Sequence, residues 1–293
     1  MQATNLFGRR SRQERELAGL DNLELPLRQR KSRLRRFWNG AWPQLAAMAL
    51  ALLIWQIIVF LELKPAWVLP GPLAVLPELW NDLTADTRLL EAVATTLRRA
   101  VLGFGLALMI GTLIGLAVTR FKLLRTAVAS LITGLQTMPS IAWFPLAILV
   151  FGLNEQAIMF VVVLGAAPSV ANGLIHGIDH IPRILLRAGR VLGARKFDKY
   201  RFVIFPAALP SFVGGLKQAW AFAWRSLMAG ELLVIIANQP ALGVRLNFAR
   251  ELSDAEALLA TMIVILVIGI VVDLVIFGSL ERRIRQRRGL GTG

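Results

Sequence analysis

The sequence predicts an all-α integral membrane protein with six transmembrane helices. Three observations carry this. Hydrophobic residues make up 56% of the 293-residue chain, and mean hydropathy is +0.61, whereas soluble domains are roughly 45–50% apolar. Several apolar runs reach the ~20 residues that a helix needs to cross a bilayer. The Lys and Arg residues, 33 in all, gather in the segments between those runs.

The same composition excludes much. No cysteine is present, so disulfides, thiolate metal sites and cysteine nucleophiles are ruled out. A net charge of +15 would suggest nucleic acid in a soluble chain. Here the arginines flank apolar spans, so membrane orientation accounts for them, and no nucleic-acid partner is expected.

Residues 1–42 read as a basic cytoplasmic tail with ten Lys/Arg. Phe37, Trp38 and Trp42 beside Arg33, Arg35 and Arg36 suit an interfacial anchor. The transmembrane domain is placed at 43–281 and a second cytoplasmic tail at 282–293. The first span is about Gln44–Leu63, ended by Lys64-Pro65. Pro65, Pro70, Pro72 and Pro77 make the next stretch a loop, with a short surface helix near Ala74–Leu83. The second span, about Thr95–Thr119, contains Gly111 and Gly115 in the small-xxx-small spacing that lets helices approach closely. Arg98 and Arg99 at its start are expected to snorkel outward.

The third span, about Thr126–Phe151, is interrupted at Met138-Pro139 and Phe144-Pro145, where proline removes a backbone donor. Such a break is either a packing kink or a flexible wall of a translocation path. The fourth span is about Gln156–Ile175. The fifth, about Ala207–Ile236, is the most polar, with Lys217, Gln218, Arg225 and Glu231. Gln218 and Arg225 share one face, and Trp220 and Trp224 another. Residues 237–254 read as an outer loop. The sixth span is about Ala255–Leu280 and contains Asp273.

Counting orients the chain. With both termini inside, inner segments hold 25 Lys/Arg and outer segments four, the asymmetry expected for cytoplasmic N- and C-termini. This places residues 176–206 in the cytoplasm. That segment, HGIDHIPRILLRAGRVLGARKFDKYRFVIFP, carries seven basic residues. Ile184, Leu185, Ala188, Val191 and Leu192 fall on one helical face, and Arg183, Arg187 and Arg190 on another. Pro182 suits a helix start. Gly193 suits a stop, because it takes the left-handed conformation without a Cβ clash. A second short helix is expected from Lys196 to Ile204, stopping before Pro206. The pattern reads as a docking element for a soluble partner.

No catalytic, cofactor or metal site is expected. No lysine follows a glycine, so no P-loop is present, and any ATP would be bound by another chain. His176 and His180 have a zinc-compatible spacing but no third ligand nearby. Arg225, Glu231, Lys217 and Asp273 are intramembrane ionisable residues, costly unless paired or functional. One reading pairs Arg225 or an inner arginine with Glu231 or Asp273. The other lines a path for an anion with Arg225, Gln218 and Lys217. Pro139, Pro145, Gln218, Arg225 and Glu231 are the candidate translocation-path residues.

The loop resembles the EAA loop of ATP-binding-cassette (ABC) importer permeases: Glu-Ala-Ala, three residues, Gly, nine residues, Ile-x-Leu-Pro. Arg187, Ala188 and Gly189 occupy the first three positions, Gly193 (followed by Ala194) the glycine, and Val203, Phe205 and Pro206 the end. The spacing is kept. Ala188, Gly193 and Pro206 keep the family identities, while Arg187 replaces the usual Glu. The phrases PAALPSFVGGLKQAWAFAWRSLMAGELL, MPSIAWFPLAILVFGLNE and LPGPLAVLPELW are similar to the nitrate/sulfonate/taurine/bicarbonate importer group.

The resemblance implies a type I ABC importer permease fold with a cytoplasmic coupling helix, in the inner membrane. It implies a pore of two permease copies, a pair of ATPase subunits clamping the loop, and an external binding protein delivering a small anion. It implies a transporter and not an enzyme. Two alternatives remain open: a permease for a neutral or cationic nutrient such as a vitamin precursor, and an ion-coupled secondary transporter using Asp273 or Glu231.

Overall fold

The computed structural model describes residues 33–84 and 87–287, and every regular element among them is helical. The tails before residue 33 and after residue 287 lie outside the described residues. The chain divides into two compact units, one ending at Ile58 and one beginning at Val59. The first contains most of helix α1 (Arg33–Phe60), whose apolar part is Leu45–Phe60. Leu45, Met48, Leu52, Leu53 and Ile57 are exposed on it, as suits lipid contact. The helix ends three residues before the expected Leu63. Glu62 turns the chain at φ 50° ahead of Lys64-Pro65.

The second unit contains α2 (Pro72–Thr84), α3 (Thr87–Arg120), α4 (Lys122–Thr137), α5 (Phe144–Phe151), α6 (Glu155–Asp179) and α7 (Arg183–Val191). It continues with α8 (Phe197–Leu233), α9 (Leu242–Glu251) and α10 (Ala255–Ile284). Helices α3, α6, α8 and α10 are long and apolar enough to span a membrane, and α4 with α5 forms one bent pair.

Helix α6 is central. Its apolar window is 61% buried, against 11% for α10, and it packs on both α3 and α8. Asn154 caps it by accepting from Gln156 N at 2.9 Å and Ala157 N at 3.3 Å, which satisfies amides with no intrahelical partner. Gly111 and Gly115 face it as the spacing predicts. A Cβ on Gly111 would sit 2.5 Å from Ala167 O, so no larger residue allows this approach. On the other side Gly173 of α6 meets Gly215 of α8 backbone to backbone. Phe104 meets Trp220 and Phe277 edge-to-face, and Trp220 and Phe277 are tilted at 42°, joining α3, α8 and α10, with Phe104 and Trp220 centroids 5.4 Å apart. Trp220 and Trp224 stack at 6.0 Å.

The structure corrects four sequence expectations. The third span is broken at Met138-Pro139 as expected, by a 98° fold, but Pro145 opens α5 instead of breaking it. Pro145 sits in the first turn, where its missing N–H costs nothing. The helix from Lys196 does not stop before Pro206. It runs through a π turn, Tyr200–Ile204, into the fifth span, and Pro206 follows that wider turn inside the helix. Residues 237–254 are not a plain loop but carry α9. Arg99 does not snorkel outward. It is 1% exposed.

Candidate functional site

The bend at Pro139 makes the site. Met138, preceding a proline, is driven out of the helical region and sits at φ −79°, ψ 127°, ending α4. A 3₁₀ turn, Ser140–Trp143, then leads into α5. A cleft of about 330 Å³ opens at this bend, walled by Leu164 and Gly165 of α6 and by Phe222 and Arg225 of α8. The structure thus brings Pro139 and Arg225 together. Pro145 and Gln218 do not line the cleft. Gln218 is exposed on α8, two turns before Arg225.

The cleft is half polar. Gln136 is held in place, donating to Ser169 Oγ at 2.9 Å and accepting from Asn172 Nδ2 at 3.4 Å. Thr137 Oγ1 donates to Gly134 O at 2.8 Å. The Ser140 hydroxyl and the Arg225 Nη groups have no partner among the described residues. Arg225 Nε donates to Ala221 O at 3.0 Å, and its guanidinium lies 4.8 Å from the Phe222 ring centroid. The backbone bond and the ring contact fix the side chain while leaving its outer face open. Trp143 and Phe222 supply apolar walls.

The other intramembrane charges are paired. Lys217 Nζ is 3.0 Å from Asp273 Oδ2, with both side chains part-exposed. Glu231 is fully buried. It accepts from Arg99 Nη1 at 3.2 Å, Thr96 Oγ1 at 2.9 Å and the Gly243 amide at 3.1 Å. Arg99 also donates to Gln239 Oε1 at 2.6 Å and Glu155 Oε1 at 3.2 Å. Among the described residues Arg225 has no carboxylate in ion-pair range, which sets it apart from Lys217, Asp273, Glu231 and Arg99. Sequence reasoning missed Arg99 as the partner of Glu231. The available signal was Thr96 and Arg99 three apart, on one helical face.

The segment 176–206 is a second, separate constellation. Helix α7 closes with a glycine turn: Gly193 has φ 83°, its amide donates to Arg190 O at 3.1 Å, and the Ala194 amide donates to Gly189 O at 2.9 Å. This pair of bonds is the Schellman arrangement. Gly189 is buried against Val203, whose Cγ2 would lie 2.7 Å from an added Cβ. The contact fixes α7 on the N-terminal end of α8. Arg187, Ala188, Phe205 and Pro206 are exposed, and Ala194 and Val203 half-buried. Ile184, Val191 and Leu192 are 73%, 87% and 85% exposed, an apolar ridge left uncovered by the described residues. At the foot of the loop Arg125 pairs with Asp179. His180 Nδ1 lies 2.9 Å from His176 O.

Apolar helices of spanning length packed around a half-polar cleft make a multi-pass membrane protein. The chain belongs to the family described as binding-protein-dependent transport system inner membrane component, whose family model matches residues 103–286. It is an ABC importer permease of the group that the sequence resembles. It is 30% identical over 266 residues to the putative aliphatic sulfonates transport permease protein SsuC of Bacillus subtilis, covering 89% of this chain and 92% of that one. It is 28% identical over 249 residues to the taurine transport system permease protein TauC of Escherichia coli, covering 84% and 89%. It is 30% identical over 261 residues to the riboflavin transport system permease protein RibX of Chloroflexus aurantiacus, covering 88% and 96%. The fold is that of a type I ABC importer permease. It is similar to an inward-facing structure of the MetNI methionine ABC transporter, with TM-score 0.56 and 20% identity over 67% of this chain and 96% of that chain.

Proposed function

We propose that this chain is the pore-forming subunit of an ATP-driven importer of a small anion. Two copies enclose the path, an external binding protein delivers the substrate, and a pair of ATPase subunits grips α7 from the cytoplasm. Both termini lie in the cytoplasm, in keeping with the basic-residue asymmetry. The single observation that carries the anion reading is Arg225. It is a cation in a spanning helix, fixed by Ala221 and Phe222, open to the cleft and without a carboxylate partner among the described residues. A cation so placed lowers the barrier for an anion and raises it for another cation. Pro139 sets the cleft's edge, while Glu231 acts at a distance by holding the helices in place.

A second reading, a neutral nutrient with a flat ring, is favoured by the Trp143 and Phe222 walls and by the similarity to a riboflavin permease. Uptake by proteoliposomes containing the permease with its co-purified ATPase separates the two. Under the anion reading, sulfonate or nitrate uptake falls at least roughly tenfold in Arg225→Gln and is largely kept in Arg225→Lys, a charge effect of the size expected in a confined site. Uptake of a neutral ring compound, unaffected by Arg225→Gln, would overturn it.

A further inference from the structure

Helix α7 carries three positive charges and no negative one. Arg183, Arg187 and Arg190 stand at i, i+4 and i+7, and the helix contains no acidic residue. Like charges at that spacing repel, and a cation in the first turn opposes the helix dipole. Among the described residues none of the three has a carboxylate in ion-pair range. The nearby Asp179 is taken by Arg125. All three arginines are exposed, beside the bare apolar ridge of Ile184, Val191 and Leu192. Arg190, in the last turn, suits the dipole, but among the described residues no carboxylate offsets Arg183 and Arg187.

We infer that α7 seats in a socket on the partner ATPase that has an apolar floor and a carboxylate-bearing wall, opposite in charge to a socket that would receive the Glu usual where Arg187 stands. The inference rests on the importer reading proposed above. The ridge fills the floor, and Arg187, at the middle of the helix, meets the wall. A protein socket accounts for this better than lipid headgroups do. Helix α8 is 37 residues long, about 55 Å at 1.5 Å per residue, against roughly 40–45 Å for a bilayer with its headgroups. The Gly189–Val203 contact fixes α7 beside the second turn of α8, at the end where an excess length of about 10–15 Å projects.

The test uses the tagged full-length chain and the ATPase that co-purifies with it, separated and recombined in nanodiscs. Arg187→Glu is expected to weaken association at least roughly tenfold, with the deficit shrinking in high salt. Arg187→Lys is expected to keep association, and a zero-length carbodiimide then links position 187 to an Asp or Glu of the ATPase. If Arg187→Glu binds like the parent while Leu192→Asp releases the ATPase, the importer reading stands and the carboxylate wall falls. If Arg187→Glu weakens binding only in nanodiscs containing phosphatidylglycerol, the arginines hold anionic lipid and the inference falls. If no ATPase co-purifies, both readings fall together.

Discussion

Arg99 Nη1 lies 3.2 Å from Glu231 Oε1, and the two side chains are 1% and 0% exposed. The pair joins α3 to α8, and the remaining oxygen of Glu231 accepts from Thr96 Oγ1 and the Gly243 amide of α9. Breaking a buried pair by removing one partner strands the other charge, at a cost of about 3–5 kcal/mol. Arg99→Met is therefore expected to lower the thermal stability of the detergent-solubilised protein by that order. Glu231→Gln should cost less, since a neutral amide oxygen still accepts from Thr96. Equal and negligible losses in both variants would show that the pair does not hold the helices together.

The difference between what was and was not legible in the sequence is physical. Gly193 was legible because a positive φ at a helix end favours glycine. Gly111 and Gly115, and the break at Pro139, were legible for similarly local reasons. Arg99 was not, because its partner is 132 residues away and a charge near a span end fits snorkelling equally well. Helix α9 was hidden by Pro240 and Gly243, which read as a loop. Its first amides are satisfied by tertiary partners, Leu242 N by Thr96 Oγ1 at 3.0 Å and Gly243 N by Glu231. At the cleft, Arg225 and Pro139 were found as a charge and a helix breaker. Gln136, Ser140 and Trp143 join them only through the 98° bend, an angle that no residue pattern encodes.

The crossing of α6 and α8 depends on two facing glycines. A Cβ on Gly173 would lie 2.6 Å from Gly215 Cα, a backbone atom that cannot swing aside, whereas a Cβ on Gly214 would meet nothing within 4 Å. Gly173→Ala is expected to destabilise by about 1–3 kcal/mol through overpacking. Gly214→Ala should be neutral or stabilise by up to about 1 kcal/mol through helix propensity. Melting the two variants side by side checks the crossing. Equal effects would count against it.

Glu78, on the surface helix α2, has a carboxyl pKa raised above the usual 4.5. Burial comes first among the causes, followed by the charges of Asp82, Asp254 and Glu256, with Arg245 opposing. A raised carboxyl pKa means that the folded chain keeps its proton after the unfolded chain has lost it. Stability falls as pH rises from below 4.5 through the folded value, and the penalty is complete above it. Glu78→Gln removes that penalty. The variant should melt higher than the parent at pH 8, and the difference should vanish below about pH 4, where both side chains are neutral. A gain that persists at low pH would mean that the effect is one of packing.

Lys217 and Asp273 separate an ATP-driven importer from an ion-coupled one. Asp273 lies in the π turn Asp273–Phe277 of α10, a local widening often found at functional sites, and an intramembrane carboxylate is a natural proton carrier. It is, however, 3.0 Å from Lys217 Nζ with both groups part-exposed, so its charge is compensated across the α8–α10 contact. If the pair is structural, removing either charge leaves the other unpaired in the membrane, and removing both restores balance. Asp273→Asn and Lys217→Met should each reduce the amount of folded protein, and the double variant should recover more than the sum of the single losses predicts. In proteoliposomes the double variant should keep ATP-dependent uptake and ignore a proton uncoupler. Uptake that is abolished by Asp273→Asn in fully folded protein, and collapsed by the uncoupler in the parent, would instead make Asp273 a coupling residue.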